Sequence, residues 1–109
     1  MAYDEKLADR IRHILIDTDG ISEKKMFGGL AFLLNGHMCV GIVGDKLMVR
    51  TGPDAYQAAL GRPHVSPMDF TGRPMKGMIY VSPEGIDNRR KLAAWIGAGL
   101  DFASSLPPK

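Results

Sequence analysis

The pair Asn35-Gly36, placed between two runs of apolar residues, constrains this chain more than any other feature of its sequence. Asn-Gly is a preferred central pair of a type I′ turn, because both of its residues tolerate positive φ angles. The flanking runs are therefore predicted to be antiparallel strands of a β-hairpin, at Lys25–Leu34 and His37–Val43. Gly44-Asp45 predicts a second tight turn, after which Lys46–Thr51 is expected to form a third strand.

Helical patterns flank this sheet. A first helix is predicted between the start signal at Asp4-Glu5 and Gly20, which is expected to end it. Its apolar stripe recurs at helical spacing and consists of Leu7, Ile11, Ile14 and Leu15. A second start signature, Ser82-Pro83-Glu84, predicts a last helix that begins at about Pro83 or Ile86 and ends at Ala103.

The segment between the third strand and the last helix consists of short elements. Gly52-Pro53 is expected to end the strand, and a short helix is predicted at Asp54–Leu60. His64–Phe70 is predicted to be a weak strand or an extended loop, and Met75–Val81 a better strand. The resulting order, α-β-β-β-α-β-β-α, predicts the α+β class, as a two-layer α/β sandwich with a mainly antiparallel sheet. With 109 residues the chain is expected to form one domain over residues 1–104, followed by a flexible tail at 105–109.

The two tight turns also predict which side chains share a face of the sheet, since directly opposed residues of antiparallel strands point the same way. The face expected to pack on the helices, together with Trp95, consists of Phe27, Gly29, Ala31, Leu33, Met38, Val40, Ile42, Leu47, Val49 and Thr51. The opposite face consists of Gly28, Leu30, Phe32, Leu34, His37, Cys39, Gly41, Val43, Lys46, Met48 and Arg50.

This second face is too apolar for a bare solvated surface, yet it carries basic side chains. Such a mixture is typical of a contact surface. The alternative is that the remaining loops cover its apolar residues. As a contact surface it predicts an interface, with a second copy of the chain or with another protein, formed by Leu30, Phe32, Leu34, His37, Met48 and Arg50.

A second hypothesis is a small-ligand or nucleic-acid binding module that uses a basic patch. Its predicted ligand-binding residues are Arg50, Arg73, Lys76 and Tyr80. For Arg73 and Lys76, a solvated turn is the alternative interpretation. Strong nucleic-acid binding is not expected, because the net charge is only +2 and the 14 Lys and Arg residues are scattered along the chain.

Catalysis, metal binding and membrane insertion are not expected from the residue patterns. No pair of titratable residues is placed to act as acid and base, and no metal-ligand spacing surrounds any histidine. Cys39 is expected to be a buried apolar thiol, since no neighbouring group would lower its pKa. No cofactor or metal is predicted. In the absence of an apolar span of about 18 residues or a cationic leader, we expect a cytoplasmic protein that does not contact a membrane.

Several of these motifs together resemble the N-terminal domain of the TfoX/Sxy competence regulators. The most specific is Met26-Phe27-Gly28-Gly29 after the first helix, supported by Gly72-Arg73-Pro74-Met75 farther along the chain. The resemblance covers roughly residues 5–103 and implies a two-layer α/β domain with an antiparallel sheet. It also implies a role in transcription regulation, because full-length members act with the cyclic-AMP receptor protein at competence promoters. The chain is expected to be a single-domain member without the helical C-terminal domain of those regulators.

Overall fold

The computed structural model describes residues 3–26, 28–69 and 74–107. Its helices are α1 (Glu5–Ile14), α2 (Pro53–Leu60) and α3 (Arg89–Ser104), with a short 3₁₀ helix at Pro83–Ile86. Its strands are β1 (Ile21–Met26), β2 (Gly29–Leu34), β3 (His37–Val43), β4 (Lys46–Arg50), β5 (Val65–Asp69) and β6 (Pro74–Val81). The described strands form an antiparallel sheet in the order β1-β2-β3-β4-β6-β5, so β1 and β5 are its edges.

The predicted α+β class is confirmed, with one strand more than the predicted order. The strand expected at Lys25–Leu34 is divided into β1 and β2, which pair with each other from Met26↔Gly29 to Ile21↔Leu34. The chain reverses at Gly28, whose φ of 73° suits glycine. The double glycine therefore marks a hairpin turn between two strands, whereas the sequence interpretation had placed it inside one.

The first helix is shorter than predicted. It begins as expected, because the Asp4 carboxylate accepts hydrogen bonds from the backbone N–H groups of Lys6 and Leu7. It ends at Ile14 and not at Gly20. The intervening sequence, Asp17-Thr18-Asp19, consists of poor helix formers, and the N–H of Thr18 turns back to the carbonyl of Leu15.

A β-bulge at Cys39 changes which side chains face the helices. Leu33 pairs with Met38 and Phe32 pairs with Val40, so Cys39 is the extra residue of β3. The Cys39 thiol donates a hydrogen bond to the carbonyl of Phe32, at 3.2 Å. Because side chains alternate along a strand, one extra residue inverts the face assignment on one side of the bulge.

The predicted face assignment is consequently wrong for β2 and right for most of β3 and β4. Leu30, Phe32 and Leu34 lie in the main core, 4%, 1% and 8% exposed. Leu33, expected in that core, is only half-buried on the other face. The residues that share the main core with β2, as predicted, are Val40, Ile42, Leu47 and Val49.

The helices cover one face of the sheet. Their buried apolar side chains belong to the same cluster as the core strands and include Leu7, Ile11, Tyr56, Leu92, Trp95 and Ile96. The predicted burial of Trp95 is confirmed, since this side chain is 5% exposed. After α3, the carbonyl of Pro107 contacts Nε2 of His37 at the β2–β3 turn. The division into a domain at 1–104 and a flexible tail stays a prediction.

Close approach of α3 to the sheet depends on Gly99. A Cβ atom at this position would lie 2.3 Å from the carbonyl oxygen of Cys39 and 2.9 Å from the side chain of Val40. Gly99 therefore lets the helix backbone rest directly on the bulge. Gly97, two residues earlier in α3, has no such contact, since a Cβ there would meet nothing within 4 Å.

The inverted face of β2 can be tested with two neighbouring residues. Phe32→Ala should lower the free energy of unfolding by ~3–5 kcal/mol, because it empties a fully buried site. Leu33→Ala should cost much less, because Leu33 is half-buried on the opposite face. Urea unfolding followed by circular dichroism measures both. A larger loss for Leu33→Ala would restore the unshifted register.

The two glycines of α3 supply a second test. Gly99→Ala should destabilise the protein, because the new methyl group meets backbone that cannot move aside. Gly97→Ala should instead raise the free energy of unfolding by about 0.5–1 kcal/mol through helix propensity. Thermal unfolding of both variants checks the prediction, and stabilisation by both would show that α3 does not touch the bulge.

Candidate functional site

The helix-free face of the sheet carries a second apolar cluster, built largely from methionines. Met48, Met68 and Met78 are buried, at 0%, 0% and 6% exposure. Partly buried side chains packed against them are Met38, Val43 and Tyr80. Methionine is flexible and polarisable, so the half-exposed Met38 at the margin of this cluster can adapt its shape to what contacts it.

Glycine in β3 makes room for this cluster. Met48 lies opposite Gly41 on the neighbouring strand, and a Cβ at Gly41 would come within 2.4 Å of the Met48 methyl carbon. Met48 therefore folds across β3 where a side chain is missing. Gly41 is the kind of strand glycine that marks close approach of another group.

A pocket of about 360 Å³ opens at the end of β4, where the chain continues toward α2. Its lining joins strands, the start of α2 and the end of α3. Among the described residues it includes Met26, Met38, Arg50, Gly52, Pro53, Lys76, Gly77, Met78 and Phe102. The register explains part of this assembly, because Arg50 of β4 pairs directly with Met78 of β6. The described part of the wall is thus largely apolar and carries two cationic side chains.

Backbone hydrogen bonds hold the rim of this pocket. The carbonyl of Gly77 accepts from the N–H groups of Thr51 and Gly52, at 2.8 and 3.2 Å, and from the Thr51 hydroxyl at 3.2 Å. Gly52 and Gly77 have φ angles of 80° and 93°, a region that L side chains rarely adopt. A Cβ at Gly52 would also lie 2.4 Å from the Phe102 ring, so the ring packs against bare backbone.

The positive charges of the pocket are not neutralised by the described side chains. The guanidinium carbon of Arg50 lies 5.1 Å from the centroid of the Phe102 ring, a cation–π contact. Ion pairs among the described residues involve Arg12 with Asp9 and Glu23, and Lys91 with Asp87. None of them includes Arg50 or Lys76. Neither cation is therefore paired with a carboxylate of the described residues.

A family model described as the TfoX N-terminal domain matches residues 13–103. The chain belongs to this family. The match extends from the end of α1 to the last turn of α3 and contains the whole sheet with both of its faces. Neither the curated proteins nor the solved structures yielded a match. The predicted resemblance is thereby confirmed.

This TfoX N-terminal domain does not present the exposed row of side chains predicted on β2. Leu30, Phe32 and Leu34 lie beneath the helices, because the bulge moved them there. His37 pairs with Leu34 and so shares the helix-covered face, where it contacts the chain after α3. Met48 and Arg50 do lie on the opposite face. The six predicted interface residues are thus divided between two faces. Of the two on the helix-free face, Met48 is fully buried and Arg50 is half-buried. Contact with a partner stays a prediction.

The predicted ligand-binding residues are brought together in part. Arg50 and Lys76 line the same pocket. Tyr80 lies two pairs farther along β4 and β6, opposite Met48, with the Lys46 ammonium 5.5 Å from its ring centroid. Arg73 lies outside the described residues. Phe102 and the methionines of the pocket were not predicted as site residues from the sequence. For Phe102, the spacing of the α3 residues does not indicate that its ring contacts Arg50.

Within residues 3–26, 28–69 and 74–107, no group of three or more His, Cys, Asp or Glu side chains could hold a metal ion. No helix in the described ranges is long and apolar enough to cross a membrane. The prediction that the protein is not an enzyme remains a prediction.

The expected inertness of Cys39 can be measured. Burial raises the pKa of this thiol from 9.0 to about 11. The folded state thus favours the protonated thiol, and this contribution to stability is complete below pH 9.0 and is lost as the pH rises toward about 11. The free energy of unfolding of wild type minus that of Cys39→Ser should fall over this interval. A constant difference, or rapid labelling of the native thiol by a disulfide reagent at pH 8, would contradict it.

Proposed function

We propose that this domain is a non-catalytic interaction module that binds an acidic segment of a protein partner on the helix-free face of its sheet. The observation that carries the proposal is the composition of that face. The half-exposed side chains of Met38 and Val43 pack against the buried methionines, and the half-exposed Leu33 pairs with Met38 on the same face. Lys24, Lys46 and Arg50 stand among them.

The apolar part of the face supports a protein contact. Adaptable methionine-rich surfaces are typical of proteins that bind peptides or protein segments, because their side chains repack around the ligand. Basic side chains at the margin add orientation and a faster encounter with an oppositely charged partner. A bare solvated face would need neither feature.

Charge decides which kind of partner is proposed. Among the described side chains that the strands present on this face, none is a carboxylate, whereas Lys24, Lys46 and Arg50 are cationic. A homodimer through this face would bring like charges of the two copies together, which disfavours it. An acidic protein segment would instead place carboxylates opposite these groups.

Family membership supports a role in regulation. The competence regulators whose N-terminal domain this chain resembles act with another protein at promoters. We infer that the acidic partner belongs to the transcription apparatus. Duplex DNA is a weaker candidate, because the cations are few and spread over the face, so binding should vanish near physiological salt.

Photo-crosslinking in cells that express the protein tests whether a partner contacts the helix-free face. A benzophenone amino acid at Val43 should form adducts with an acidic protein, whereas the same group at Ile16 should not. Ile16 is a suitable control because it is apolar, is 74% exposed and follows α1 on another part of the surface. Lys46→Glu should lower the adduct yield at Val43 several-fold, and Lys46→Arg should preserve it.

The outcomes separate the candidates. Equal adducts at both positions, or none at Val43, would overturn the proposal. Adducts between two copies of the chain would replace the acidic partner with a homodimer. Insensitivity of the yield to Lys46→Glu would remove the charge argument.

A further inference from the structure

The pocket at the end of β4 combines charge and apolar walls in a way that the broader interaction face does not require. Met26, Met38 and Met78 contribute thioether side chains to its lining, and Phe102 contributes an aromatic ring. Its volume of about 360 Å³ falls within the range of small-molecule sites. Arg50 and Lys76 supply positive charge from β4 and β6.

The guanidinium carbon of Arg50 lies over the Phe102 ring, 5.1 Å from its centroid. A cation–π contact of this kind leaves N–H groups of the guanidinium able to donate hydrogen bonds. Among the described residues, no carboxylate pairs with Arg50. A planar carboxylate fits that fork of donors with two parallel hydrogen bonds.

The remaining walls favour an apolar body attached to the anion. Met78 is 6% exposed and belongs to the buried methionine cluster, so the pocket continues into an apolar surface. A free inorganic anion would leave the thioether walls uncovered. An apolar group beside the carboxylate would bury these walls, which favours binding through the hydrophobic effect.

We propose that this pocket binds a carboxylate carried on an apolar or aromatic body. Arg50 pairs with the carboxylate, Lys76 adds charge at the rim, and the methionines and Phe102 enclose the apolar part. The carboxylate belongs either to a small molecule or to the last residue of a peptide, since both offer the same chemistry. The proposal does not depend on the acidic protein partner inferred above.

Methyl NMR of the protein labelled at its methionines tests this site, with 3-phenylpropionate as the probe. The methyl signals of Met26, Met38 and Met78 should shift on titration. Met68, which is buried and does not line the pocket, serves as the internal reference. The neutral amide of the same acid should bind at least about 10-fold more weakly, because it loses the charge-assisted pair.

Substitutions of Arg50 and Lys76 test whether these two cations of the pocket bind the carboxylate. Arg50→Gln and Lys76→Gln should each weaken binding of 3-phenylpropionate, the first by about 10-fold or more. Arg62→Gln is the matched control. The Arg62 guanidinium carbon also lies over a ring, 4.4 Å from the centroid of Trp95, and Arg62 lines a different groove between α2 and α3. It should leave the affinity unchanged. Unaltered thermal unfolding of each variant excludes misfolding.

Two further probes separate the sources of the carboxylate. An acetylated tetrapeptide that ends in phenylalanine should bind when its C-terminal carboxylate is free. The same peptide with a C-terminal amide should not bind. The proposal is supported if 3-phenylpropionate or the tetrapeptide acid binds and Arg50→Gln weakens that binding. The acid that binds more tightly indicates whether the carboxylate comes from a small molecule or from a peptide C-terminus. Absence of shifts with both acids, equal binding of acid and amide, or inorganic phosphate that competes as well as 3-phenylpropionate would overturn it. The last result would leave a plain anion site without the apolar role.

Discussion

The fold of this domain depends on the extra residue that β3 carries at Cys39. Because Cys39 is left unpaired, Phe32 pairs with Val40, and the large apolar side chains of β2 face the helices. The thiol remains attached to the strand it disrupts, through its hydrogen bond to the Phe32 carbonyl. Without the bulge, the helices would cover Ala31 and Leu33, whose side chains offer far less apolar volume than Leu30 and Phe32.

The same residue also positions the last helix. Gly99 lies against the carbonyl of Cys39, so α3 closely approaches the sheet where the strand is irregular. From that contact α3 continues to Phe102, which packs against Gly52 and Arg50 at the end of β4. The β-bulge at Cys39 is thereby connected, through α3, to the pocket at the end of β4.

Much of the architecture follows from the sequence, because turn residues and helical stripes act locally. Asn35-Gly36 and Gly44 marked their turns correctly, and the apolar stripe of α3 placed Trp95 in the core. The register could not be derived in the same way. A bulge is one unpaired residue, and nothing in the local pattern around Cys39 distinguishes it from a regular strand position. Arg50 and Lys76 were identified as basic residues, but their meeting with Phe102 depends on contacts between elements distant along the chain.

The two edges of the sheet have a consequence for how the domain behaves at high concentration. β1 shows four consecutive exposed polar residues, from Ser22 to Lys25, and β5 contains Pro67. Charged side chains and proline at the rims oppose the stacking of strands from different molecules into fibrils. The face proposed to bind a partner therefore belongs to a sheet whose borders oppose strand-to-strand polymerisation, and this would separate selective recognition from aggregation.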